Sequence, residues 1–260
     1  MNIQNQELTQ RLGTFQNLWT LVPVMTSYGL IPADFSRGVV GEPTILRLIA
    51  EEFKRLIDFS EIDVVAGIDL SGVTLALAIS FATGKPMVIV REKSKRPGRP
   101  TVVGDVNFLK PGSRVLLVDD SMAAAKTKRD RALKLEELGA QVTGVAVFIY
   151  AEYQIDRFKE KYQDVFDSQT WFDTSGIHLY YLVTWKELAD LQLKYGTIKK
   201  DFNEIVREAL HWDAWEDDGE GYLTKMVRCF HNHNVPIPEY VTEYYVSKGI
   251  DLNKLKSTAG

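Results

Sequence analysis

The chain has 260 residues, 31 Lys and Arg against 35 Asp and Glu, a net charge of −4, and 45% hydrophobic residues. That is enough apolar material for a sizeable core, and too little basic excess for a protein whose main partner is nucleic acid. The single cysteine, Cys229, excludes an internal disulfide framework and suits a reducing cytosol; no apolar run nears the roughly 18 residues of a membrane span, and "MNIQNQELTQRLG" lacks a secretory pattern, so the expectation is a soluble cytoplasmic protein.

Residues 1–40 are apolar and aromatic but broken by Pro23, Gly29, Pro32 and Gly38, which predicts a packed arm or part of a cap. From Gly41 the pattern is regular. "EPTILRLIAEEFKRLI" places Ile45, Ile49, Phe53 and Leu56 on one helical face, with Pro43 in the first turn where its missing N–H costs nothing. "DVVAGI" reads as a short strand. "SGVTLALAISFATG" is apolar nearly all round and predicts a buried helix ending before Gly84. "KPMVIVRE" is the next strand, "KSKRPGRP" a basic loop, "TVVGDVNF" a short strand and "KPGS" a turn. A strand over Arg114–Val118, a helix over Lys128–Leu138 stopped by Gly139, and a strand over Gln141–Tyr150 follow.

Continuously apolar strands alternating with helices predict an α/β, doubly wound, mainly parallel sheet with helices on both faces. After Tyr150 the texture changes. "IHLYYLVT" reads as one more strand. Thr184 and Glu187 have capping-box spacing for a helix through about Tyr195. "IKKDFNEIVREAL", "GYLTKMVRCF" and "PEYVTEYYVSKG" read as helices too, so residues 184–260 are expected to be a helical C-terminal extension of a core over 41–183. Cys229, His231 and His233 match no zinc spacing, and the charged run from Glu216 to Gly221 lacks calcium-loop spacing.

Ligands of open parallel sheets sit at the carboxyl ends of strands near a topological switch. Three loops fall at such ends. The first is Asp119-Asp120 with the turn Ser121, Met122, Ala123, Ala124, Ala125, Lys126 and Thr127. A small-residue turn opening a helix offers unpaired N–H groups and a favourable dipole to an anion, and Thr127 adds a hydroxyl. The two carboxylates suit sugar hydroxyls or a developing cation, so the pattern is that of a ribose 5-phosphate site. A left-handed residue in this turn would tolerate alanine poorly, by about 1 kcal/mol. The second loop is "GIDLSG", Gly67–Gly72, another anion-friendly nest. The third is the basic stretch Arg91, Lys93, Lys95, Arg96 and Arg99, suited to enclosing and releasing a polyanion. Each loop also has an alternative reading: Asp119-Asp120 as a solvated strand end capping the next helix, Gly67–Gly72 as tight packing of strand against helix, and Arg91–Arg99 as a solvated surface loop.

In order and spacing, these segments resemble the type I phosphoribosyltransferase family. "VLLVDDSMAAAKT" is similar to its acidic strand end and phosphate turn, and "DVVAGIDLSGVTLALAISFATGKPMVIVREKSK" resembles the preceding segment of orotate-type members. "KRPGRPT" is similar instead to the loop of adenine-type members. The resemblance covers residues 41–150 and implies transfer of ribose 5-phosphate from phosphoribosyl pyrophosphate to a nucleobase, orotate-like or purine, with release of pyrophosphate. It implies Mg2+ held through substrate oxygens, with no dedicated protein cage, and a homodimer. Asp119 and Asp120 would meet the ribose, Ser121 to Thr127 the 5-phosphate, and Leu70, Ser71, Gly72, Arg91, Lys93 and Lys95 the pyrophosphate. The alternative that stays open is a regulator that binds phosphoribosyl pyrophosphate without turning it over.

Overall fold

The structure is a computed structural model, and it describes residues 1–15, 24–26, 29–31, 41–91, 101–122, 125–151, 163–209, 239–247 and 249. The chain divides into two compact units, Met1–Arg11 with Val39–Thr184, and Leu12–Gly38 with Trp185–Gly260. Residues 12–38 thus group with the C-terminal residues.

In the first unit, helix α1 (Gln6–Thr14, whose last three residues lie in the second unit) precedes α2 (Pro43–Leu56). The carboxylate of Glu42 caps α2, accepting from the amides of Thr44 and Ile45, and Ile45, Leu48, Ile49 and Phe53 line its buried face. The strands that follow are β3 (Val64–Ile68), β4 (Met87–Val90), β5 (Val102–Val103), β6 (Arg114–Met122), β7 (Gln141–Tyr150) and β8 (His178–Thr184). Helices α3 (Ser71–Thr83), α4 (Lys126–Glu136) and α5 (Gln163–Thr174) lie between them. The numbering leaves β1 (Val24–Thr26) and β2 (Gly29–Ile31) for an antiparallel pair in the second unit.

The sheet order is β5-β4-β3-β6-β7-β8, parallel throughout except for β5, which runs antiparallel to β4. From β3 the chain winds outward to β4, then returns to β6 on the other side of β3 and winds outward again to β7 and β8. The switch point lies between β3 and β6. Every residue of β3 is buried, because helices cover both faces. On one face Val64, Ala66, Ile68, Val115, Leu117, Val145 and Val147 pack with Ala132 and Leu135 of α4 and Phe172 of α5. The opposite edge of the β3/β6 pair is pinned by Asp63 and Arg114. Arg114 donates through its backbone N (2.8 Å), Nε (3.2 Å) and Nη2 (3.0 Å) to the Asp63 carboxylate, and its guanidinium also meets Glu61. These bonds pull the Asp63 carboxyl down to about 2.

Four expectations need correction. β6 does not stop at Val118: it continues through Met122 because the long β7 keeps pairing with it, Asp119 with Val147 and Met122 with Tyr150. α4 starts and ends two residues earlier than its apolar spacing suggested. α3 is not buried all round: one stripe (Leu75, Ala76, Ile79) faces the sheet, while Leu77 is 45% and Phe81 82% exposed. "TVVGDVNF" is a two-residue strand followed by a 3-10 turn at Val106–Phe108 rather than one strand. Helix α5 carries no apolar pattern strong enough to have been read.

In the second unit, α6 (Trp185–Lys194), α7 (Lys200–Ala209) and α8 (Glu239–Ser247) match the expected helices. Gln192 is fully buried and donates through Nε2 to the carbonyls of Leu12 (2.7 Å) and Phe15 (3.0 Å), which ties α6 to the end of α1. "GYLTKMVRCF", Cys229, His231 and His233 lie outside the described residues.

Candidate active site

Register places the three loops on one edge. Gly67 of β3 pairs with Val118 of β6, and Ile68 pairs with Val90 of β4. The turn after Ile68, the strand end at Arg91 and the acidic pair after Val118 are therefore carried side by side on three adjacent strands, at the switch point.

The first two loops touch. A Cβ built on Gly72 would lie 2.5 Å from the Val118 carbonyl oxygen, 2.8 Å from Asp119 Cα and 3.1 Å from Asp119 Oδ1. The turn Leu70–Gly72 thus rests on the start of the acidic pair. Gly67 packs in the same manner, its missing Cβ 2.9 Å from Ala76 Cβ and Val73 Cα. Both glycines answer to close packing of strand against helix, and that packing is what brings the turn to the carboxylates. The Asp69–Leu70 peptide in this turn is cis.

Two helices open here, and neither is capped by a side chain. Leu70 precedes α3 and Ala125 precedes α4, with no side-chain hydrogen bond at either N-cap. The contrast is α2, where Glu42 supplies the cap. First-turn N–H groups that the N-cap side chain leaves unbonded, at the positive end of the dipole, suit an anion. Ala125 is fully buried with φ −75° and ψ −7°, ordinary right-handed backbone, so alanine carries no left-handed cost there. Ala123 and Ala124 lie outside the described residues, as do Lys93 and Lys95.

The other site residues are spread over different environments. Met122 is fully buried in the core cluster, so it anchors the turn rather than facing a ligand. Ser121, Lys126 and Ser71 are half-buried, Thr127 is exposed, and Leu70 is 84% exposed. Arg91 is half-buried; its amide donates to the Thr101 carbonyl (2.8 Å) and its own carbonyl accepts from Lys134 Nζ (3.0 Å). Asp120 is half-buried.

Asp119 is 8% exposed and fully engaged. Its Oδ1 accepts from the Asp120 amide at 3.0 Å, and its Oδ2 lies 2.6 Å from Nζ of Lys128. Lys128 is 5% exposed and also donates to the Ser121 carbonyl at 2.5 Å. Sequence reading missed Lys128. The signal was there: Lys128 and Arg131 share the i, i+3, i+4, i+7 stripe of Ala132 and Leu135, and a cation in an apolar stripe requires a buried partner.

No described helix is long and apolar enough to cross a membrane. Among the described residues no cluster of three or more His, Cys, Asp or Glu could hold a metal.

Comparison with known proteins agrees with this architecture. A family model described as phosphoribosyl transferase domain matches residues 41–179, more than half of the chain. The orotate phosphoribosyltransferase of Thermococcus gammatolerans is 40% identical over 119 residues, covering 45% of this chain and 61% of that enzyme. The adenine phosphoribosyltransferase of Nitrosopumilus maritimus is 28% identical over 139 residues, covering 49% of this chain and 81% of that enzyme. Among solved structures, Leishmania donovani UMP synthase superposes with a TM-score of 0.64 at 22% identity, over 80% of this chain and 42% of that one, a likeness of fold. With the acidic pair of β6, the two uncapped helices and the family model falling on the same residues, this chain belongs to the type I phosphoribosyltransferase family, the transferases of nucleotide synthesis and salvage.

Proposed function

We propose that this chain moves the 5-phosphoribosyl group of phosphoribosyl pyrophosphate to a ring nitrogen of an orotate-like or purine nucleobase. The bond from the anomeric carbon to the pyrophosphate oxygen breaks, and a bond to the base nitrogen forms. The electron pair leaves with pyrophosphate, and the base gives up its nitrogen-bound proton to solvent. The observation that carries the reading is the pair of uncapped helix N-termini flanking a carboxylate at the switch between β3 and β6. Two anion positions a short distance apart with an acid between them suit a molecule with phosphate at one end and pyrophosphate at the other.

In this reading the amides after Ala125, with the Thr127 hydroxyl, hold the 5-phosphate. Those of Ser71 and Gly72, with Arg91, Lys93 and Lys95, hold the pyrophosphate. Asp120 faces the ribose and the positive charge that develops on it. The work is positioning and electrostatics on groups that need not reorganise. Asp120 supplies a hard oxygen donor suited to Mg2+, and an ion carried on substrate oxygens needs few protein ligands. When bound, Mg2+ neutralises charge on the departing pyrophosphate. The exposed apolar side chains of Leu77 and Phe81, beside a groove of about 430 Å3 between α2 and α3, support a homodimer formed through this face. The single cysteine supports a cytoplasmic setting.

The test is pyrophosphate release from phosphoribosyl pyrophosphate and Mg2+ with orotate, uracil, adenine, guanine, hypoxanthine and xanthine in turn. Release with one of them is expected. Calorimetric binding of phosphoribosyl pyrophosphate with no release would favour the regulator instead, and no binding would overturn both.

A further inference from the structure

The acidic pair lies inside β6, and successive side chains of an extended strand point to opposite faces. Asp119 and Asp120 therefore cannot present their carboxylates in the same way to one ligand. Asp119 is the inward member: Gly72 lies against it, the Asp120 amide takes one oxygen, and Lys128 takes the other. The Asp119 and Lys128 side chains are 11% and 6% exposed. A lysine ammonium enters such a place only with a partner, and this one bridges the carboxylate to the Ser121 carbonyl, where the strand passes into the phosphate turn.

We propose that Lys128 is a positioning residue of the phosphoribosyl site, an internal cation that holds Asp119 turned into the protein and leaves Asp120 as the carboxylate presented to the ribose. This rests on the reading under Proposed function. Two consequences follow from the contacts. Lys128 cancels one of two adjacent negative charges beside the position of a polyanionic substrate. It also fixes the strand end from which the turn departs, so α4 and β6 carry the phosphate position as one body. Arg131, 6% exposed one turn further along α4, keeps the same stripe cationic, and its Nε has no hydrogen-bond partner among the described residues.

The experiment titrates Mg2+ and phosphoribosyl pyrophosphate calorimetrically into the full chain as wild type, Lys128→Met, Lys128→Arg, Asp119→Asn and Asp119→Asn/Lys128→Met. Melting curves serve as the folding control, and KM and kcat are measured with the accepted base. Lys128→Met should bind about tenfold more weakly, the size expected of one uncompensated unit charge near a partly buried anion site. The loss should fall mainly on KM. Lys128→Arg should recover most of it, and the double variant should bind more tightly than Lys128→Met, because it removes the orphaned carboxylate as well. Wild-type affinity in Lys128→Met overturns the proposal. So does a double variant weaker than either single one, which would make Asp119 itself a substrate ligand. A wild type that binds no phosphoribosyl pyrophosphate instead defeats the reading on which the proposal rests.

Discussion

Gly72→Ala is the sharpest test of the way the site is built. The added Cβ would stand 2.5 Å from a backbone carbonyl oxygen and 2.8 Å from a Cα, both in the central strand β6. Ordinary contact begins near 3.4 Å, so the turn must lift by about 0.9 Å, since the core of a close-packed sheet does not yield. Overpacking of this kind costs about 1–3 kcal/mol. For a chain of this size that is a fall in melting temperature of roughly 2–12 °C. The same lift moves the Ser71 and Gly72 amides away from the acidic pair, and a displacement near 1 Å in a positioning group costs up to about 100-fold. The assay is paired: melting by circular dichroism, and calorimetric titration with phosphoribosyl pyrophosphate and Mg2+. Affinity should fall by more than the loss of stability alone would produce at 25 °C, where the variant is still folded. A variant with wild-type affinity would refute the claim that contact between this turn and Asp119 sets the pyrophosphate position.

Asp120→Asn should lower kcat by about 100-fold or more while melting within a few degrees of wild type, because it removes charge stabilisation at a half-buried position of β6; turnover near wild type would refute the role. Asp63→Asn tests the register pin at the far edge. With its pKa lowered from 3.8 to about 2, Asp63 favours the fold above pH 3.8 and loses that contribution as pH falls through 2. At pH 7 the substitution should cost about 1 kcal/mol after allowing for solvent screening of this part-exposed pair, and the melting curves of variant and wild type should converge at pH 2. Phe81→Glu should leave the fold of the full chain intact, because Phe81 is 82% exposed, and should abolish the proposed homodimer in light scattering. An unchanged oligomer would place any dimer contact elsewhere.

The sheet was legible because its strands are buried on both sides and so read as unbroken apolar runs. "DVVAGI" and "QVTGVAVFIY" needed nothing beyond composition to be placed. The three site loops were legible because their small, acidic and basic residues interrupt those runs at the carboxyl ends. What escaped depends on pairing across the sheet. The length of β6 is set by β7, which keeps it extended past the carboxylates, and nothing inside "VDDSM" signals that. The exposed face of α3 escaped because apolar residues all round a helix do not say which side the sheet takes. Residues 12–38 grouping with the C-terminal unit is a matter of contacts between distant segments, such as Gln192 Nε2 with the Leu12 carbonyl, and carries no local mark.

The alanines of the phosphate turn raised the question whether a backbone without glycine can wrap an anion. At Ala125 the answer is conformational: the residue sits in right-handed backbone as the first step into α4, where a methyl group fills core space. Glycine is needed only where φ is positive or where another backbone comes too near, and at Ala125 neither holds. The close backbone approach is found at Gly72, on the other loop, and Lys128 fastens the Ser121 carbonyl near the end of β6. At Ala125 alanine restricts the backbone more than glycine would, and a positioning site gains from a backbone that need not reorganise. Activity should therefore depend more on the Asp119–Lys128 contact than on restoring glycine. Ala125→Gly, which adds backbone freedom and removes a buried methyl, should weaken phosphoribosyl pyrophosphate binding in calorimetry; a gain in affinity would show that the alanine turn is a defect after all.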